Sequence, residues 1–168
     1  MKIWNIAKGS LVGGILLFIL GMILQFIPWG INAVDTFPAK IEIGDLLASN
    51  IKPGMFFTDE KVAALISVKD LKTISYVGAF FTEFLTQLFA AAMISFFLSI
   101  TQGMKDMKRL GIILIICTGA IVAIYVREIN WWGFTFIYAM GMIVNLIVSW
   151  LTVTFLLSKL FYRSEVKA

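Results

Sequence analysis

Four stretches of this chain, at about 9–29, 77–100, 110–126 and 132–157, each run the thickness of a membrane with almost no charge. A hydrocarbon core of about 30 Å takes roughly 20 helical residues, because without water every backbone polar group must be bonded within its own segment. Gln25 is the only strongly polar side chain of the first stretch, Glu83 is the only ionisable one in the second, and the third carries no charge. The chain is 60% hydrophobic and 14% charged, where a soluble domain has about 45–50% and 25%. The expected fold class is an all-α membrane protein: a four-transmembrane-helix bundle forming a single integral membrane domain over 1–168, with a small extracytoplasmic α/β cap between helices 1 and 2. The basic Lys2 and Lys8 before the first stretch resemble a signal sequence. The stretch is too long for a usual h-region and lacks a small-x-small cleavage site after Pro28, so it reads as a retained anchor.

Residue types that are missing remove whole classes of chemistry. There is no His and one Cys, which excludes Ser-His-Asp triads, Cys-His dyads, Cys-x-x-Cys redox pairs and an internal disulfide, and leaves no usual ligand set for haem, copper or structural zinc. Cys117 falls in mid-span and reads as a small apolar residue. No metal, cofactor or catalytic residue is expected, and the chain does not read as an enzyme.

Charge sets the orientation. With the N-terminus inside, the cytoplasmic side holds Lys2, Lys8, Lys105, Lys108, Arg109, Lys159, Arg163 and Lys167 against Asp106 and Glu165. The other side holds Lys40, Lys52, Lys61, Lys69, Lys72 and Arg127 against Asp35, Glu42, Asp45, Asp59, Glu60, Asp70 and Glu128. Positive residues favour the inside, so both termini are expected in the cytoplasm of a multi-pass protein. The net charge of +4 then reflects juxtamembrane ends facing anionic lipid rather than nucleic acid.

Residues 30–75 form the one sizeable piece outside the spans. Pro38 can open a helix with Ile41, Leu46, Leu47 and Ile51 on one face, and Lys52-Pro53-Gly54 reads as a turn. Met55 to Phe57 and Val62 to Val68 suit two short strands of a hairpin, although Lys61 to Leu71 also fits a helix. About 45 residues are too few for an independent core, so this cap is expected to pack on the helix ends.

Within lipid, helices associate through small residues and interhelical hydrogen bonds. The expected packing positions are Gly9 and Gly13, with Ser10 and Gly14 one step round; Ala91, Ser95, Ser99 and Gly103; Gly119 and Ala123; and Gly141, Asn145 and Ser149. Trp29, Trp131 and Trp132 fall at outer boundaries and Trp4 at the inner one, as interfacial anchors. Glu83 stands apart, since a carboxylate in hydrocarbon costs several kcal/mol unless it is neutralised, paired or hydrated. Gln87 is one turn away on the same face, between Thr82 and Thr86. Arg127, Asn130 and Tyr138 come from the outer ends of the third and fourth helices. Together Glu83, Thr86, Gln87, Arg127, Asn130 and Tyr138 make a candidate outer-leaflet pocket for a headgroup, proton or small solute. The alternative is a Glu83 that only fixes helix register.

Ile27-Pro28-Trp29, Thr36-Phe37-Pro38, Pro53-Gly54-Met55-Phe56-Phe57 and Asn130-Trp131-Trp132-Gly133-Phe134 with Tyr138 follow one another in an order that resembles a group of small bacterial four-helix integral membrane proteins. The resemblance covers nearly the whole chain. It implies four helices, an outer loop between the first two and a bacterial inner membrane, and it implies no activity. The functional expectation is therefore a structural, accessory or interaction protein whose partners are membrane lipids and either another membrane protein or further copies of itself. The second expectation is a small transporter or lipid- or solute-binding protein using the Glu83 pocket.

Overall fold

The computed structural model describes residues 2–25, 54–58, 64–68 and 75–163. Its elements are helix α1 (Lys2–Gln25), strands β1 (Gly54–Thr58) and β2 (Ala64–Val68), and helices α2 (Tyr76–Ile100), α3 (Asp106–Trp132) and α4 (Phe136–Leu160). All four helices are long and apolar enough to cross a membrane.

Local chemistry accounts for the helix ends. Ser75 precedes α2 in extended backbone and its Oγ accepts the Gly78 N–H at 3.0 Å; Thr135 does the same for α4, accepting from the Tyr138 N–H at 3.3 Å. Each satisfies one of the N–H groups that a first turn leaves open. Helix α3 stops at Gly133, which takes left-handed backbone (φ 69°) that a residue with a Cβ adopts only with strain, and its N–H returns to the Glu128 carbonyl. The uncharged stretch of the third helix ends at Val126, and α3 runs on through Arg127, Glu128 and Asn130, expected at its outer end, to Trp132, while α4 begins at Phe136. Charged residues end what hydrocarbon tolerates and do not break a helix; the breaker is Gly133.

The tightest packing joins α1 to α2, with α1 also against α4 and α3 against α4. Gly14 sets the closest approach: a Cβ there would lie 3.0 Å from the Leu88 Cα and 2.6 Å from its Cδ2. A Cβ on Gly13 would meet Leu157 Cδ1 at 2.9 Å and Ala91 Cβ at 3.0 Å, so Gly13 lies between α2 and α4. Leu17, Ile94, Leu98, Val153 and Leu157 fill the core around this seam, and Phe18 meets Phe84 edge to face at 5.7 Å. Helix α3 contributes a strict four-residue seam, Arg109, Ile113, Cys117 and Ile121. Gly119 and Ala123, expected at a packing face, are instead exposed, and a Cβ on Gly119 would meet nothing within 4 Å. They sit about half a turn from the Cys117–Ile121 seam, on the far side of a helix with one main neighbour. Gly103 is likewise exposed, in the turn after α2.

Between α1 and α2 the described residues form one antiparallel hairpin, pairing Gly54 with Val68, Phe56 with Ile66 and Thr58 with Ala64. The α/β cap of the sequence reading is not supported. Its helix from Pro38 lies outside the described residues, as does Trp29, and two five-residue strands are marginal without a further layer.

Candidate functional site

Among the described residues, polar bonds between elements concentrate at the end of the bundle that carries both termini. Asp106 and Arg109 are one turn apart in the first turn of α3, so both face the neighbouring helix ends. The Arg109 side chain is completely buried. Its Nη1 donates to the Tyr162 carbonyl oxygen at 2.6 Å and to Asp106 Oδ1 at 3.2 Å, its Nη2 donates to the Leu98 carbonyl at 2.9 Å, and its Nε to Thr101 Oγ1 at 3.3 Å. Leu98 lies in the last turn of α2 and Tyr162 just past α4. One guanidinium thus caps the carbonyl ends of two helices, where the helix dipole also favours a cation. The second Asp106 oxygen accepts from Lys159 Nζ at 2.6 Å, which ties α4 to α3 a second time. A buried charge is tolerated only with such complete pairing, and the planar fork of Arg supplies it where Lys would not.

Tyr162 extends the clasp to α1. Its side chain is buried and its hydroxyl donates to the Asn5 carbonyl at 2.8 Å. Burial pushes the phenol above its ordinary value, opposed more weakly by the neighbouring Ser95 hydroxyl. Gly9 makes room for this: a Cβ there would stand 2.5 Å from Ser95 Oγ and 2.9 Å from Tyr162 Oη. Further along, Asn145 Nδ2 donates to the Leu24 carbonyl at 3.0 Å, joining α4 to the last turn of α1. The expected packing residues Gly9, Gly13, Ala91, Ser95, Ser99, Gly141, Asn145 and Ser149 are all buried.

The Glu83 group is placed differently. Glu83 is exposed on α2, and its Oε1 accepts from Gln87 Nε2 at 2.6 Å. Thr82 and Thr86 direct their hydroxyls to the Gly78 and Thr82 carbonyls of the same helix, so neither donates to a pocket. Arg127 contacts its neighbour Glu128 at 3.5 Å, Tyr138 packs edge to face on Phe134 at 5.6 Å, and Asn130 is exposed. Glu83 and Gln87 therefore meet each other, while Arg127, Asn130 and Tyr138 lie elsewhere. The pocket is not assembled, because α2 and α3 make little contact beyond the clasp.

Reading charge as topology missed the clasp, because Arg109 counted only as one more basic residue on the inner side. One signal was available: Arg109 stands four residues before Ile113 and eight before Cys117, on the apolar seam of its own helix. Trp150 packs partly buried against the core, and Trp4 is exposed with Lys8 Nζ 5.1 Å over its ring. Among the described residues no three His, Cys, Asp or Glu side chains gather as a metal site.

Among the described residues four apolar helices of membrane-crossing length, clasped at one end by a buried arginine, point to the class: a multi-pass membrane protein. No known family, characterised protein or solved structure matches the chain.

Proposed function

We propose that this protein is a structural or accessory subunit of a bacterial inner membrane, with both termini cytoplasmic and the segment between α1 and α2 outside. The supporting observation is the use made of the dense polar centre around Arg109 among the described residues. Arg109 directs all three guanidinium nitrogens into helix ends and loop of its own chain, which suits a rigid scaffold better than a site that must exchange a ligand. The excess of Lys and Arg near the clasp supports its cytoplasmic placement, and the aromatic and Gly/Pro order around Pro53-Gly54 and Asn130-Trp131-Trp132-Gly133 supports a bacterial membrane.

Purification from native membranes in mild detergent tests the role: another membrane protein should co-purify in fixed ratio, and a chain that elutes with no other protein overturns the accessory reading. Orientation is tested in a Cys117→Ser background. A cysteine at Lys61 should react with an impermeant maleimide in intact cells and one at Lys105 only after permeabilisation; the reverse pattern inverts the topology.

A further inference from the structure

We propose that copies of this chain associate side by side, head to tail, through Glu83 of one copy and Arg127 of the next. The inference rests on the membrane-bundle reading and not on the accessory role. Glu83 lies seven positions into α2 from Tyr76 and Arg127 five positions before the end of α3 at Trp132. At 1.5 Å per residue these are about 10 Å and about 8 Å from the ends of their own helices opposite the clasp, so the two opposite charges both lie within about two turns of those ends. They belong to helices that make little contact with each other, whereas α1 packs on α2, α4 packs on α3, and α1 packs on α4. Glu83 and Arg127 thus stand on the two flanking helices of one bundle.

Among the described residues neither charge is well matched inside its own chain. Glu83 is exposed and bonded to a neutral amide. The Arg127 side chain is 63% exposed and reaches Glu128 only at 3.5 Å, through one nitrogen. A carboxylate facing acyl chains is costly, while an Arg–carboxylate pair in a desolvated contact is strong and directional. Gln87 holds Glu83 Oε1, leaving Oε2 for the neighbouring guanidinium. A contact of this kind uses two different patches, so it repeats from copy to copy and gives a closed ring when the rotation allows.

The test uses the full chain produced alone and reconstituted in lipid nanodiscs. Wild type should have a mass that is a multiple of the monomer. Glu83→Arg and Arg127→Glu should each weaken association by about tenfold or more. Co-expressed under two different tags, the two variants should restore assembly and elute together, because each alternating contact again pairs Arg with Glu. Rescue between chains separates this contact from one within a chain, which mixing cannot repair. Should a charge reversal prevent folding, co-expressed Cys117→Ser chains carrying Glu83→Cys and Arg127→Cys provide the second measurement, and a bis-maleimide should link the two tags. A monomeric wild type, association unaffected by either reversal, or folded variants that fail to rescue each other would overturn the proposal. Any of these outcomes leaves the accessory role standing, since that role is read from co-purification in the native host.

Discussion

Replacing Arg109 with Met keeps most of the side-chain volume and removes every donor that the guanidinium supplies to the clasp. The Leu98 and Tyr162 carbonyls, Thr101 Oγ1 and Asp106 Oδ1 then lose the group they share. Removing one partner of a buried charged network costs about 3–5 kcal/mol. Thr101 and the two carbonyls sit where water does not easily replace the lost bonds, whereas Asp106 keeps Lys159 and some solvent, so the lower half of that range is expected. Lys159→Ala removes the other arm of Asp106 from a side chain that is 52% exposed, and an exposed ion pair is worth about 1 kcal/mol or less. Arg109→Lys restores a charge but not the fork, and should fall between the two. Reversible unfolding in mixed micelles, followed by helical circular dichroism and Trp fluorescence, measures all three. A loss for Arg109→Met within about 1 kcal/mol of that for Lys159→Ala would refute the reasoning, because the buried guanidinium would then hold no more than a surface pair.

Other perturbations separate the remaining contacts. Gly9→Ala places a methyl group against Ser95 and Tyr162 and should destabilise by about 1–3 kcal/mol in the same unfolding assay, whereas Gly119→Ala, with open space around it, should be neutral or slightly stabilising. Asn145→Ala removes the bond to the Leu24 carbonyl and should lose about 0.6 kcal/mol, the average for interhelical hydrogen bonds in a membrane, and no more than about 1.7; no loss at all would show that this contact is not formed. The raised Tyr162 phenol predicts a pH effect. Because the folded state holds this proton more tightly than the unfolded state, the contribution is full below the ordinary tyrosine value of about 10 and fades as pH rises through and beyond it. Between pH 9 and 11 wild type should therefore lose more stability than Tyr162→Phe, and equal losses in the two proteins would contradict the assignment.

Glu83 and Arg109 carry the clearest lesson about reading this chain. Glu83 stood out because a lone carboxylate within an apolar run is conspicuous, and the sequence places it correctly in a spanning helix. What surrounds it depends on how the helices are arranged, and α2 turns this side chain outward. Arg109 looked ordinary among the basic residues at the edge of a span. It is buried because a short turn, Thr101 to Lys105, returns α3 directly beneath the last carbonyls of α2, while α4 ends beside it.

Hydropathy by itself determined that four segments are long and apolar enough to span, and the spacing of small residues on α1, α2 and α4 marked the faces that make close contacts. These depend on local bonding and on transfer from water to lipid, and neighbours in sequence settle both. Only the tertiary structure decided which faces meet. Lipid solvates the apolar faces almost alike, so hydrophobicity does not distinguish the Cys117 side of α3 from the Gly119 side. Close packing at Gly9, Gly13 and Gly14 and the hydrogen bonds of Arg109, Tyr162 and Asn145 do, because each requires one particular partner at one particular distance.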